Sequence, residues 1–304
     1  MMEKYNFLIT GGAGFIGSNL SDFLIDLGHK VTIVDNLSTG KKENLNPKCK
    51  FYEINLHQEK IEHLLEDIDY VIHMSAIPNV QQSIDQPLYT SEHNLVVTIK
   101  ILNSIRKFRN IKKVIFSSTS AIYGNPITFP VNESFLSNPL SPYALQKLCS
   151  EEYLKLFSEL YGINAVCLRY FNVFGERMTN EGAYKSVISV FSEQKEKNLP
   201  LTITNDGNQK RDFIYVKDVV MANYLSCIKD TGKFNIYNVG YGTNISVNEI
   251  ASYFKQETTY IGNRVEPFQT LCDNKKIKQD LGWEPTISVE DWLNLKLNDK
   301  KKNN

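Results

Sequence analysis

The segment Gly11–Gly17 (GGAGFIG) decides the fold, because it joins an apolar run of strand length, 5–10, to a helical pattern at 18–27. A strand, a glycine turn and a helix in this order place a pyrophosphate at the helix N-terminus. The glycines fit G-x-G-x-x-G if the series starts at Gly12, and G-x-x-G-x-x-G if it starts at Gly11. An ordinary tight turn uses the same residues, so the turn alone indicates a nucleotide site only weakly.

The overall composition argues against several classes of protein. Among 304 residues, Lys+Arg and Asp+Glu number 34 each, so no net charge attracts nucleic acid or an anionic membrane. The five cysteines lie far apart without a C-x-x-C pair, which predicts reduced thiols in a cytoplasmic protein and no metal site. The N-terminus leads directly into the first strand and no apolar run is long enough to cross a bilayer, so we expect neither a signal peptide nor a membrane anchor.

Apolar runs of strand length alternate with helical patterns through the first half of the chain, which predicts a parallel sheet covered on both faces. Strands are predicted at 7–10, 31–34, 51–54, 70–73, 114–117 and 165–169, and helices at 15–27, 58–65, 88–108 and 142–160. From about residue 171 short strands mix with helices. We therefore predict an α/β fold: a Rossmann-type, doubly wound parallel sheet at 1–170, and at 171–304 mainly a smaller α/β substrate-binding cap, with some segments returning to the sheet.

An acidic residue ends the second predicted strand. Asp35 stands 18 residues after Gly17, close to the spacing of the acid that binds a ribose 2′-hydroxyl. A carboxylate there accepts hydrogen bonds from the diol and repels a 2′-phosphate, and no Arg follows it immediately. The residue predicts binding of NAD rather than NADP, although an acid that merely ends a strand is the alternative.

A tyrosine and a lysine, Tyr143 and Lys147, are separated by four positions on a predicted helix that begins at Pro142 after a capping Ser141. Positions i and i+4 share one helix face, so the phenol and the ammonium can point into one cleft. A tyrosine with its ordinary pKa of about 10 is a poor base, and a nearby cation lowers that pKa. Alone the pair would be a common surface arrangement; after a dinucleotide turn it predicts a general base and favours the series that starts at Gly11.

Hydroxyl residues cluster where the fifth predicted strand ends, at 117–120, before Tyr123 and Gly124. Ligands bind at this carboxyl edge of a doubly wound sheet. A serine or threonine there can hydrogen-bond a substrate hydroxyl, or it can simply cap the next turn.

Together these features resemble the extended short-chain dehydrogenase/reductases, and within them the NAD-dependent sugar-nucleotide epimerases of the UDP-glucose 4-epimerase type. The resemblance runs from about residue 6 to residue 285. Further matching segments are 94–98, 169–175, 206–216 and 281–285.

The resemblance implies a role for each matching position. Tyr143 would remove the proton of the sugar 4-hydroxyl, Lys147 would lower the pKa of Tyr143 and hold the nicotinamide ribose, and Thr119 would share a hydrogen bond with the 4-oxygen. The implied cofactor-binding positions are Gly11, Gly14, Phe15, Ile16, Gly17, Asp35, Asn36, Ser38, Thr39, Gly40, Asn55, Leu56, Met74, Ser75, Ala76, Pro78, Asn94, Ser117, Tyr143, Lys147 and Phe171. The implied substrate-binding positions are Thr119, Tyr143, Asn172, Arg211, Arg264, Glu266 and Thr270.

The implied chemistry is a transient oxidation at C4 of a UDP-hexose, after which the 4-keto-sugar turns and receives the same hydride on its other face. NAD then stays bound through each turnover. The two arginines suit a diphosphate, because their planar donors pair with two oxygens.

The sequence departs from the family pattern at several points. Asn55 replaces an aspartate that contacts adenine, Val97 replaces a glycine, and the loop before Glu266 is one residue short. The acid that dehydratases and decarboxylases carry after the strand-five hydroxyl is absent at 120–121, which favours an epimerase. The small Thr270 stands where a bulky residue excludes 2-acetamido sugars, so UDP-GlcNAc and UDP-GalNAc are expected substrates beside UDP-glucose and UDP-galactose.

Other functions share these motifs. A hexuronate 4-epimerase, a C2 epimerase and a keto-sugar reductase are alternatives within the superfamily, and a non-catalytic dinucleotide-bound sensor is an alternative outside enzymes. A sensor is expected to lose Tyr143 or Lys147, and this chain has both. The family also implies a homodimer, in which the helices predicted at 88–108 and 142–160 pair with their mates across a two-fold axis.

Overall fold

Parallel strands and helices alternate along the computed structural model, which describes residues 3–178, 186–262 and 267–302. The strands are β1 (Asn6–Thr10), β2 (Lys30–Asp35), β3 (Lys50–Glu53), β4 (Tyr70–His73), β5 (Lys113–Thr119), β6 (Ala165–Tyr170), β7 (Asn172–Phe174), β8 (Leu201–Thr204), β9 (Lys210–Arg211), β10 (Phe213–Tyr215), β11 (Phe234–Val239), β12 (Ile245–Ser246) and β13 (Thr258–Ile261). The helices are α1 (Phe15–Asp26), α2 (Val80–Asp85), α3 (Pro87–Ser91), α4 (Val97–Ile105), α5 (Pro142–Tyr161), α6 (Val187–Glu196), α7 (Val216–Ile228), α8 (Val247–Phe254), α9 (Lys275–Leu281) and α10 (Val289–Lys302).

The main sheet has the strand order β11-β6-β5-β4-β1-β2-β3, and each of its pairings is parallel. The chain builds outward from β1 in one direction to β3 and then in the other direction from β4, so the order reverses between β1 and β4. A crevice opens at such a reversal, beyond the carboxyl ends of the strands. The predicted α/β class with a doubly wound parallel sheet is confirmed.

Helices cover both faces of this sheet. One face packs against α1, α7 and α9, where Leu24, Val219 and Ile277 are buried beside strand residues such as Phe7. The other face packs against α4 and α5 through side chains that include Ile101. Two buried faces explain why the strands contain continuous apolar runs rather than an alternating pattern.

A separate apolar cluster lies in the C-terminal part of the chain. It joins α6, α8 and α10 to the paired strands β7 and β10 and to β8, and Phe191, Phe254 and Trp292 lie within it. β11 follows α7 in the chain but belongs to the main sheet, where it pairs with β6 from Phe234–Ala165 to Val239–Tyr170.

The helix predicted at 58–65 is wrong, because the structure has only the 3-10 turn Glu62–Leu64 there. Ile61 and Leu65 are 2% and 0% exposed. One short turn is enough to bury both side chains. The apolar spacing that suggested a helix is therefore explained by this turn alone.

The helix predicted at 88–108 is interrupted. It is divided into α3, the π-helical turn Glu92–Val96 and α4. The turn contains Asn94, whose side chain makes tertiary hydrogen bonds. A π-turn inserts one extra residue and is often found at functional sites.

Within the described ranges, every helix is too short or too polar to cross a lipid bilayer.

Candidate active site

The glycine turn is packed so closely that side chains are excluded at three positions. Gly11 has a φ of 74°, and a Cβ on it would lie 2.8 Å from the backbone nitrogen of Ser75. A Cβ on Gly12 would lie 2.6 Å from Ile33, and one on Gly17 would lie 2.4 Å from the carbonyl oxygen of Gly11. Close packing therefore requires glycine at the first position of each spacing and at Gly17, which the two spacings share.

The N-terminus of α1 is open in front of this turn. Gly14 is the N-cap, so no side chain caps the first turn, which also contains no acid. Within the described part of the chain, a Cβ on Gly14 would meet, beyond its chain neighbours, only the carbonyl oxygen of Gly11, at 3.3 Å. Backbone N–H groups at an uncapped helix N-terminus bind anions. The turn thus fits the pyrophosphate of a dinucleotide.

Asp35 lies at the end of β2 beside the turn and is 8% exposed. Its Oδ2 accepts from the Ala13 N–H at 3.0 Å, and its Oδ1 accepts from the Leu37 N–H at 2.8 Å. Burial raises the pKa of Asp35, while these backbone N–H groups lower it. Two backbone donors hold the carboxylate in one orientation, and its other lone pairs fit a ribose diol. In the following loop, Asn36 accepts from the Ser38 N–H at 3.1 Å.

The loop after β4 is held by Thr10 at the end of β1. Thr10 Oγ1 lies 2.7 Å from Nδ1 of His73 and accepts from the N–H groups of Met74 and Ser75 at 3.2 and 3.3 Å. Burial lowers the pKa of His73 to about 3, so its ring stays neutral. These bonds fix the predicted cofactor loop, 74–78, against the glycine turn.

Asn94 connects this loop to the helix that carries the predicted catalytic pair. Its Oδ1 accepts from the Ile77 N–H at 2.7 Å, and its Nδ2 donates to the Ile77 carbonyl at 3.1 Å and to Gln146 Oε1 at 2.7 Å. Gln146 is 4% exposed and lies on α5. The side-chain amide of Asn94 therefore joins the loop after β4 to α5.

α5 begins with Pro142 after Ser141, whose Oγ accepts from the Ala144 N–H. Tyr143 and Lys147 lie one turn apart on its buried face and are 9% and 4% exposed. The cap and the proline fix where the helix starts, and therefore which side chains face the sheet.

Lys147 lies under the carboxyl edge of the sheet. Its Nζ donates to the carbonyl of Ser117 at 2.7 Å and lies 4.7 Å from the ring centroid of Phe116. Burial lowers the pKa of Lys147 to about 8, and the negative charge of Glu151 acts in the opposite direction. The ammonium is thus in a low-dielectric site, where it acts strongly on neighbouring groups.

One turn further along α5, Glu151 forms a buried ion pair with Arg169 of β6. Arg169 Nε and Nη2 donate to the carboxylate at 3.0 and 2.6 Å, and Ser118 Oγ donates to the same group. Arg169 Nη1 also donates to Tyr123 OH at 2.8 Å, which donates to Asn238 at 2.7 Å. The network ties α5 to β5, β6 and β11.

Thr119 ends β5 and caps the 3-10 turn Ser120–Tyr123. Its Oγ1 accepts from the Ala121 N–H at 3.1 Å, so its own hydrogen remains available for donation. The Ser117 hydroxyl is buried and lies 3.1 Å from the hydroxyl of Tyr170 on the neighbouring strand β6.

Three predicted substrate residues meet around Asp212. Asn172 Nδ2 donates to the Asp212 carbonyl at 2.7 Å, and Thr270 Oγ1 accepts from the Asp212 N–H at 3.0 Å. Arg211 precedes Asp212, and its Nη1 donates to the Lys210 carbonyl at 2.9 Å.

Of the other predicted residues, Gly40 packs against the glycine turn, where a Cβ on it would lie 2.8 Å from the Ala13 side chain. Asn55 Oδ1 accepts from the His57 N–H at 3.1 Å, while Leu56 and Phe171 are 8% and 4% exposed. Arg264 and Glu266 lie outside the described residues.

Sequence reasoning gave no role to Glu151 or Asp212. Glu151 continues the four-residue series of Tyr143 and Lys147, which is a signal that could have identified it. Asp212 follows an arginine within a matching motif, but its hydrogen-bond donors come from distant parts of the chain. Gly12 starts the glycine series that the Tyr143–Lys147 pair did not favour, and its contact with Ile33 of β2 also requires a glycine there.

Comparisons with known proteins agree with this geometry. A model of the NAD dependent epimerase/dehydratase family matches residues 7–240. The chain is 41% identical to a putative UDP-glucose 4-epimerase of Methanocaldococcus jannaschii over 98% of this chain and 99% of the relative.

Two solved structures are similar over nearly the whole chain. The UDP-glucose 4-epimerase of Thermotoga maritima with UDP-glucose has 37% identity and a TM-score of 0.92, covering 98% of this chain and 99% of that one. The UDP-N-acetylglucosamine 4-epimerase of Methanobrevibacter ruminantium, in complex with UDP-N-acetylmuramic acid, has 38% identity and a TM-score of 0.89, covering 94% of each chain.

The ion pair beneath α5 predicts a large loss of stability when one partner is neutralised. Glu151→Gln leaves the Arg169 guanidinium buried without a counter-charge, so the free energy of unfolding in urea should fall by about 3–5 kcal/mol. Glu152→Gln, at the exposed neighbouring position, is the control and should change it by less than about 0.5 kcal/mol. Equal unfolding free energies for the two variants would contradict the assignment.

Proposed function

The chain belongs to the NAD-dependent epimerase/dehydratase family, and from that membership we propose that it is a UDP-hexose 4-epimerase. The proposal rests on one observation: the glycine turn and the helix that carries Tyr143 and Lys147 lie at the same edge of the sheet. The glycine turn leaves β1 and packs on Ser75 after β4, while Lys147 donates to Ser117 of the adjacent β5. The proposed dinucleotide-binding turn and α5, with Tyr143 and Lys147, therefore border the same crevice.

NAD is the cofactor of this family. The turn at 11–17 and the N-terminus of α1 would hold its pyrophosphate, Asp35 would hold the adenosine ribose, and Lys147 would hold the nicotinamide ribose. When bound, NAD supplies a reversible acceptor for one hydride from the sugar C4.

The protein side chains perform the proton steps. Tyr143 would remove the proton of the sugar 4-hydroxyl and return it after the sugar has turned, and the Lys147 ammonium would favour the phenolate. Thr119, whose oxygen accepts from Ala121, would donate its hydrogen to the 4-oxygen. Proton and hydride both return to the sugar, so the reaction has no net redox change.

The nucleotide must stay anchored while the hexose turns. We assign the cofactor to residues 1–170 and the substrate mainly to 171–304, with Asn172, Arg211 and Arg264 at the diphosphate and Glu266 at the nucleotide ribose. A fixed diphosphate beside a loosely held sugar suits a reaction in which both faces of C4 must be presented to one hydride donor.

Incubation with UDP-glucose, UDP-GlcNAc and UDP-glucuronate, followed by NMR of the C4 configuration, tests the activity. We expect interconversion of the 4-epimers without added NADH, because the hydride is recovered in each turnover. Tyr143→Phe should lower kcat about 10²- to 10⁴-fold. Tyr153→Phe, on the exposed face of the same helix, is the matched control and should retain activity.

Other outcomes would identify other enzymes. Full activity of Tyr143→Phe would remove this residue as the base. Net consumption of NADH would indicate a keto-sugar reductase. Inversion at C2 would indicate a C2 epimerase, and turnover of UDP-glucuronate alone would indicate a hexuronate 4-epimerase. No turnover of any sugar with NAD bound would favour the sensor.

We propose that the site accepts 2-acetamido sugars, because the side chain of Thr270 is small. Thr270→Tyr adds bulk at the sugar pocket but also removes the hydroxyl that accepts from Asp212. Thr270→Val removes only the hydroxyl, so it is the control. We expect Thr270→Tyr to lower the ratio of kcat/KM for UDP-GlcNAc to that for UDP-glucose by roughly tenfold relative to Thr270→Val. Equal ratios in both variants would contradict the proposal.

We propose a homodimer built on α5 and the α3–α4 region. α5 exposes Leu145, Leu156 and Leu160, at 50%, 45% and 62%, on the face away from the sheet. Sedimentation at micromolar protein should show a dimer, which Leu156→Asp should dissociate. Leu136→Asp, at a loop residue that is 91% exposed, is the control and should remain dimeric. A wild-type monomer would refute the proposal.

We also propose a cytoplasmic location, which the free cysteines support because reduced thiols are typical of a reducing compartment. Recovery of the protein outside the cytoplasmic fraction of lysed cells would refute it.

A further inference from the structure

Asp212 is a buried acid between β9 and β10 to which sequence reasoning gave no role. Its side chain is 0% exposed. The carboxylate accepts three backbone hydrogen bonds, from the N–H groups of Tyr241 at 2.8 Å, Gly242 at 3.0 Å and Cys272 at 2.9 Å. The donors belong to two segments, the turn after β11 and the segment around residue 272, which are about thirty residues apart.

The backbone of Asp212 holds two of the proposed substrate residues directly. Its N–H donates to Thr270 Oγ1 at 3.0 Å, and its carbonyl accepts from both the backbone N–H and Nδ2 of Asn172, at 3.1 and 2.7 Å. Arg211 is its chain neighbour. Four segments that are far apart in sequence therefore meet at one residue.

We propose that Asp212 is the positioning residue of the substrate half of the site. Its carboxylate holds the turn 240–242 and the segment 270–272 at the β9–β10 junction, and its backbone holds Asn172 of β7. Together these bonds set the positions of Asn172, Arg211 and Thr270. The inference rests on the proposed function for the identity of the ligand, a UDP-hexose.

The chemistry of the group explains why a carboxylate is needed. An ionised carboxylate offers two acceptor oxygens, and both are used by converging N–H donors. An amide offers one acceptor oxygen and directs an NH₂ group at the remaining N–H, so at least one buried donor loses its partner. The segments would separate to relieve this contact, and the residues that they carry would move with them.

Binding of UDP to the NAD-containing protein, measured by calorimetry, tests the inference without turnover. Burial raises the pKa of Asp212 to about 7, so the measurement is made at about pH 8, where the carboxylate is ionised. Asp212→Asn should weaken UDP binding roughly ten- to hundredfold, while the bound NAD per chain stays unchanged.

Asp218→Asn is the matched control. Asp218 is also buried, at 2% exposure, and its carboxylate likewise accepts from a distant segment, through the N–H and the hydroxyl of Thr286. This variant should bind UDP within about twofold of wild type even if its stability falls. Equal UDP affinities for Asp212→Asn and wild type, or the same loss in both variants, would overturn the inference.

A second pair of variants tests the same point if Asp212→Asn does not fold. Thr270→Val removes the acceptor of the Asp212 N–H, whereas Thr270→Ser keeps it. Weaker UDP binding by Thr270→Val than by Thr270→Ser supports the inference, and equal binding overturns it.

If the proposed epimerase function is wrong, the experiments give results that differ from those that would overturn the role of Asp212. A wild-type protein that does not bind UDP, or binds it without epimerising any hexose, contradicts that function rather than the role of Asp212. If turnover is observed, Asp212→Asn should raise KM more than it lowers kcat, because Tyr143 and Lys147 are held by other contacts.

Discussion

The buried ion pair between Glu151 and Arg169 is the constraint that holds α5 at the carboxyl edge of the sheet. Two charges removed from water are costly unless their geometry and remaining hydrogen bonds are satisfied. Here the guanidinium donates from both Nε and Nη2 to the carboxylate, and Ser118 and Tyr123 complete the network. Because Glu151 lies on the same helix face as Lys147, the pair fixes the rotation of α5 against the sheet and places a negative charge near a buried ammonium.

The two halves of the site are built by different physical means. At the glycine turn, close packing is decisive: a Cβ on Gly17 would lie 2.4 Å from the Gly11 carbonyl, so the turn has one arrangement. Around the predicted substrate residues, hydrogen bonds to Asp212 gather segments that are far apart in the chain. A packed turn keeps its shape locally, whereas these segments share hydrogen bonds to one buried residue, so we expect their geometry to be more sensitive to one substitution.

The features that sequence predicted are the local ones. The strand-turn-helix start and the parallel alternation gave the fold class, and the spacing of Tyr143 and Lys147 put both on one buried helix face. The features that it missed involve partners distant in the chain: Glu151 is explained by an arginine 18 residues later in β6. The helix predicted at 58–65 failed for a related reason, because its apolar residues are buried by tertiary contacts that one turn provides.

Val97 shows how a departure from the family pattern is accommodated. A side chain larger than glycine at this position needs room in the packing around its helix. The valine is 3% exposed and belongs to the apolar cluster beneath the sheet with Ile101. The π-turn immediately before it contains Asn94, which still bonds to Ile77 and Gln146. The larger side chain therefore adds buried apolar surface on the core side of the helix, while the polar link between the loop after β4 and α5 is kept on the other side.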